Sequence, residues 1–106
     1  MVLGLVPIVV NYGGPTETVT DSTGFRVPAG SRAEIINNLR EVLGRLAADP
    51  AALGAMSQRA QRHALNHFTW SAKAKQVLEV YRWMLKQCAD KPDFGRPFRD
   101  EEKAAS

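Results

Sequence analysis

From Val6 to Val10 the chain reads Val-Pro-Ile-Val-Val, β-branched and apolar on both faces. A strand with one wet face alternates, so a continuous apolar run predicts a strand covered on both sides, as in a parallel sheet. Pro7 suits the opening of such a strand and not its middle, because it brings no N–H to the ladder. Asn11-Tyr12-Gly13-Gly14-Pro15 predicts a loop in which two glycines are free to take positive φ. Thr16 to Thr20 fit one short helical turn. Asp21-Ser22-Thr23-Gly24 is turn chemistry, and Gly24 to Val27 reads as a brief strand closed by Pro28-Ala29-Gly30.

Beyond Gly30 the pattern turns helical. Ser31 and Glu34 form a capping-box sequence, in which each side chain satisfies a backbone N–H at a helix start. Ile35, Leu39, Val42, Leu43 and Leu46 follow on one face at helical spacing. Asp49-Pro50 predicts a new helix, with Asp as N-cap and Pro at the first position. Its stripe is Leu53, Met56, Ala60 and Ala64. After His67-Phe68, Thr69 is placed to cap a third helix with a face of Trp70, Ala74, Val77, Leu78, Tyr81, Met84 and Leu85, a stripe expected in the core. The periodicity stops near Cys88. The predicted organisation is therefore a folded region over 1–89 and a charged, Pro-containing tail over 90–106.

This inventory does not close. A strand buried on both faces needs neighbours on both edges, and the chain offers one other short strand. The expectation is an α/β fold, a partial Rossmann-like unit with one buried parallel strand, one short strand and three helices, whose remaining sheet comes from elsewhere.

Composition narrows the class. With 44% hydrophobic residues the chain is too apolar for a disordered segment. A single cysteine, Cys88, excludes an internal disulfide framework and fits a reducing compartment. The apolar stretch from Val2 to Val10 is too short to cross a bilayer and lacks the flanks of a secretory signal, so a soluble cytoplasmic location is expected. The net charge of +3 is uneven: residues 31–89 carry nine Lys/Arg against four Asp/Glu. That excess permits anionic partners without demanding them.

The segment richest in candidate chemistry is the junction from the first strand through Gly13-Gly14 to Glu17. A strand-to-helix junction lies at the carboxyl edge of a parallel sheet, where α/β folds bind ligands, and glycines let a ligand approach the backbone. The plainer reading is a turn whose Glu17 complements a helix dipole. His63 and His67, spaced i, i+4, lack a third ligand nearby in sequence and read as polar residues at a helix end. Cys88 has no activating neighbours in sequence.

Gly4-Leu5-Val6-Pro7-Ile8-Val9-Val10, then Gly13-Gly14-x-x-Glu17-x-Val19, then Thr23-Gly24-Phe25-Arg26-Val27-Pro28 follow one another in order. Leu46-Ala47-Ala48-Asp49-Pro50, Met56-x-x-x-Ala60 and Phe68-Thr69-Trp70 come after them, with a helix ending near Tyr81. This ordered set resembles the nucleotide-sugar donor domain of group 1 glycosyltransferases (glycosyltransferase family 4, GT-B fold), over residues 1 to about 85. The resemblance implies transfer of a sugar from a nucleotide-diphosphate sugar to an acceptor hydroxyl, without a metal or other cofactor. It implies donor binding at Gly13, Gly14 and Glu17. Two departures stand out: Gly4-Leu5-Val6-Pro7 is one residue longer than the family's Gly-x-Pro, and the family's paired glutamates would fall upstream of Met1. On that reading the chain holds no catalytic residue and is inactive alone. Its partners would be a nucleotide sugar and the missing N-terminal half of the enzyme or a complementing chain, with peripheral membrane contact where acceptors are lipid-linked. The alternative is a small basic helical interaction or nucleic-acid-binding module using Arg59, Arg62, Lys73, Lys75, Arg82 and Lys86. No recognition-helix motif accompanies those cations, so they read as a solvated face and no nucleic-acid partner is expected.

Overall fold

A computed structural model describes residues 1–95. The element order is β1 (Ile8–Val10), α1 (Gly14–Thr18), β2 (Phe25–Val27), α2 (Arg32–Ala48), α3 (Ala52–His67) and α4 (Trp70–Met84). The fold is mixed α/β, with four helices and a two-stranded parallel sheet. Ile8 pairs with Phe25, Val9 with Arg26 and Val10 with Val27. Parallel strands need a crossover, and α1 with the following turn supplies it within a short span.

The first strand is shorter and wetter than its sequence predicts. It begins after Pro7, whose carbonyl still accepts the Phe25 N–H at 2.9 Å. All three residues are half-buried rather than enclosed. The reason is direct: β2 covers one edge, and among the described residues no strand covers the other.

Between the strands, the turn is locked by a buried threonine pair. The Thr20 N–H donates to Thr23 Oγ1 at 2.9 Å, and the Thr23 and Gly24 N–H groups return to the Thr20 carbonyl at 3.1 Å. Both threonines are buried with their polar atoms paired, which removes the cost of taking them from water. Arg26 forms an ion pair with Asp21 at the rim. Gly24 seats the turn against the first strand: a β-carbon there would lie 2.5 Å from the Pro7 carbonyl oxygen and 2.8 Å from Val19 Cγ1.

Helix boundaries agree with the sequence where a side chain caps the backbone. Ser31 accepts from the Glu34 N–H while the Glu34 carboxylate accepts from the Ser31 N–H at 2.7 Å and its hydroxyl at 2.6 Å, a complete capping box. Thr69 caps α4 by accepting the Ala72 N–H at 3.1 Å. Asp49 behaves differently from expectation. It closes α2 as its C-cap, its N–H returning to the Arg45 carbonyl at 3.1 Å, and α3 starts at Ala52 with no side-chain cap. The Leu53 and Gly54 N–H groups reach Pro50 and Ala51 instead, so a tight turn stands in for the cap.

The core is small. Val19, Val27, Val42, Ala60, Ala64 and Ala72 are its buried apolar residues, and Val27, at 1% exposure, is the largest side chain fully enclosed. Helix α3 grips the amino-terminal segment: Ser57 Oγ donates to the Gly4 carbonyl at 2.6 Å and Gln61 Nε2 to the Val2 carbonyl at 2.9 Å. Arg59 Nε reaches the Ser22 carbonyl at 2.9 Å, which gives one of the basic side chains a structural task.

The expected core stripe of α4 faces outward, which corrects the sequence-based reading. Trp70 is 93% exposed, Tyr81 58% and Leu85 68%, and Val77, Leu78 and Met84 are exposed with them. Helix α4 packs on α3 through Ala72, with Lys73, Gln76 and Val80 half-buried. Leu43, expected on the inner face of α2, is exposed as well. Among the described residues no element covers these side chains. Of the expected tail over 90–106, residues 90–95 form no helix or strand, and residues 96–106 lie outside the described residues.

Two glycines should respond oppositely to alanine. Gly24→Ala should lower stability by about 1–3 kcal/mol, because backbone rather than a flexible side chain blocks the new methyl. Gly44→Ala, in the middle of α2 with open space around it, should raise stability by about 0.8–1 kcal/mol. Urea unfolding of both variants checks the pair.

The capping box also sets a pH response. The Ser31 hydroxyl and backbone N–H hold the Glu34 carboxyl below its ordinary value. A carboxyl depressed in the folded state stabilises the fold above its unfolded pKa of about 4.3 and loses that contribution as pH falls through the folded value. The stability difference between wild type and Glu34→Gln should be constant above about pH 5 and shrink toward acid. Denaturant curves across pH 2.5–7 would show this, and a pH-independent difference would contradict it.

Candidate functional site

The carboxyl ends of the two parallel strands open onto one cleft. Its volume is ≈480 Å³, and Val9, Val10, Tyr12, Pro15, Ala29, Gly30 and Ile35 line it. Each wall has a local cause. Val9 and Val10 end β1, Ala29 and Gly30 leave β2, and Ile35 comes from the first turns of α2, directed there by the Ser31 cap. The lining is chiefly apolar, with Tyr12, 79% exposed, standing at the mouth.

Gly13 and Gly14 sit in the lip between Tyr12 and Pro15 rather than in the wall. Gly13 has φ 65° and ψ −158°, a backbone region open essentially to glycine alone, and precedes α1 as its N-cap. A β-carbon on either glycine would meet nothing within 4 Å, so that side of the lip faces open space. Pro15 occupies the start of α1, where its missing N–H costs nothing. Glu17 lies in the first turn of α1 and is exposed, and it does not line the cleft. The structure thus gathers the two glycines at the cleft lip and leaves Glu17 on the outer surface of the adjoining helix. Thr16, between them, has its Oγ1 buried without a hydrogen-bond partner among the described residues.

Tyr12, Ala29, Gly30 and Ile35 line this region, although the sequence marks them only as loop, turn and helix-face positions. The signal was present for Ala29 and Gly30: a second parallel strand must release its chain at the same sheet edge as the first. Nothing in one-dimensional spacing indicates that Ile35 turns toward that edge.

The histidines form a separate cluster. The His63 and His67 rings lie 4.9 Å apart, and the Phe68 ring meets His63 edge-on at 5.3 Å. Lys73 Nζ stands 5.7 Å from the Phe68 ring centre, a cation–π distance. Among the described residues no group of three or more His, Cys, Asp or Glu side chains could hold a metal ion. Cys88 is exposed. No helix among the described residues is long and apolar enough to cross a membrane.

No protein-family profile, curated protein or solved structure matches the chain.

The lip separates backbone strain from steric room. Gly13→Ala should cost about 1–3 kcal/mol although nothing crowds it, because its φ/ψ pair is barred to a β-carbon. Gly14→Ala, helical and uncrowded, should be neutral or stabilising by up to about 1 kcal/mol. Thermal unfolding of the two variants measures the contrast.

Proposed function

We propose that this chain is the C-terminal portion of the nucleotide-sugar-binding, Rossmann-like domain of a glycosyltransferase. The reaction would move a sugar from a nucleotide-diphosphate sugar to an acceptor hydroxyl. The observation that carries this reading is the junction where parallel strand β1 ends, Gly13-Gly14 turns and α1 begins, beside the cleft at the carboxyl edge of the sheet. Parallel α/β sheets bind ligands at that edge. The ordered run of sequence motifs from Gly4 to Tyr81 supports the same reading.

Within it, Gly13 and Gly14 leave the backbone bare for close approach of the donor. Glu17, exposed on α1 and outside the cleft, would accept from donor hydroxyls that project past the lip. The apolar cleft wall takes a flat or apolar portion of the ligand. The half-exposed first strand and the small core support a site completed by another polypeptide, which would provide the remaining sheet and the catalytic carboxylates. On this reading the chain by itself positions donor and performs no transfer.

The test is a backbone amide titration with a panel of nucleoside-diphosphate sugars. Shifts should concentrate at residues 11–17 and 28–31, and Glu17→Gln should weaken binding by about tenfold, the loss of one charge-assisted hydrogen bond. Perturbations confined to the basic helices, or sugar-transfer turnover by the purified chain, would overturn the reading.

A further inference from the structure

Helix α4 is amphipathic in the inverse sense. Trp70, Ala74, Val77, Leu78, Tyr81, Met84 and Leu85 fall within an arc of roughly 120° at 3.6 residues per turn. This apolar arc is the solvent face, while the helix rests on α3 through Ala72 and its half-buried neighbours. The six large side chains of the arc would lose on the order of 800 Å² if covered, about what one partner contributes to a standard protein interface.

The borders of the arc are cationic. Lys75 and Arg82 lie along one side, exposed and without an ion pair among the described residues. Lys73 lies on the other, its ammonium held by Gln76 at 3.2 Å and by the Phe68 ring. A second copy of the chain fits poorly. Antiparallel two-fold packing sets each border against itself, and parallel packing sets one border against the other, so cations meet cations in both cases. An anionic lipid surface would match the charges. As a flat plane of negative headgroups it would also meet Glu79 and Asp93, which line one cavity with Lys75, whereas a polypeptide can set its carboxylates against Arg82 and Lys75 alone.

We infer that the outer face of α4 is a docking surface for a polypeptide element that presents an apolar stripe bordered by Asp or Glu carboxylates. Trp70, Tyr81 and Leu85 are its anchors, and Lys75 and Arg82 set its charge preference. The inference stands on the exposed stripe and needs no sugar chemistry, so it goes beyond the donor-site reading.

The probe is a synthetic amphipathic helix with a leucine face and glutamate borders, compared with the same peptide carrying lysine borders. Binding to the full chain is followed by Trp70 emission in a Trp83→Phe background. The glutamate-bordered peptide should blue-shift the emission and bind at least tenfold tighter than its lysine counterpart. Lys75→Glu/Arg82→Glu should reverse that preference. Leu78→Asp should weaken both peptides tenfold or more, with helix content unchanged by circular dichroism because the site is exposed. Equal affinity for the two peptides, or no binding of either, overturns the inference. So does an emission shift produced by phosphatidylglycerol vesicles and not by the peptide, or concentration-dependent self-association abolished by Leu78→Asp. The readout contains no nucleotide, so this outcome and that of the donor titration are separable.

Discussion

At Gly24 the chain passes so near Pro7 that a β-carbon would stand 2.5 Å from the Pro7 carbonyl oxygen, and that oxygen accepts the Phe25 N–H at 2.9 Å. This approach starts the parallel ladder. It aligns Ile8 with Phe25 and carries Val10 to Val27, whose carbonyl accepts the Asn11 N–H at 2.6 Å. Because both strands run the same way and end together, the loops that follow them open on one edge, and the cleft exists there. The threonine-locked turn before Gly24 and the α3 contacts to Gly4, Val2 and Ser22 hold the same arrangement from outside.

The fold is supported mostly by small side chains and backbone ties. Val and Ala fill the core, while tryptophan, tyrosine, methionine and several leucines stay at the surface. Burying large apolar groups is the main stabilising term in folding, so a chain that leaves them out has a modest margin and a strong tendency to acquire a neighbour. The half-exposed sheet and the outward stripe of α4 are two expressions of this shortage.

Local signals were legible wherever one side chain answers one backbone group. Ser31 with Glu34 and Thr69 with Ala72 form the caps their sequences announce, because capping is settled within four residues. The Gly13-Gly14 turn and the presence of two strands were legible from residue type over a few positions, whereas the length and burial of the first strand were not. Asp49 was not: a C-cap and an N-cap look alike in sequence when two helices abut, and the Asp49 N–H went to Arg45. The α4 stripe was legible as a stripe and not as a surface, since periodicity reports that a helix has an apolar side and is silent on what lies against it. Of the site, Gly13 and Gly14 were visible as a bare turn, while Tyr12 and Ile35 emerged only from folding.

By itself the amino-acid sequence determined the three longer helices, the Ser31 and Thr69 caps, the turn glycines and the mixed α/β class. These depend on residue type and short-range spacing. Tertiary structure alone decided the register in which β2 pairs with β1, that Ile35 and Ala29 close a cleft over the strand ends, and that Glu17 stays outside it. It also decided which face of α4 meets α3. Ala72, Gln76 and Val80 are smaller or more adaptable than Trp70 and Tyr81, and they lie where α3 is close. The apolar arc was left to water because nothing else within the described residues reaches it.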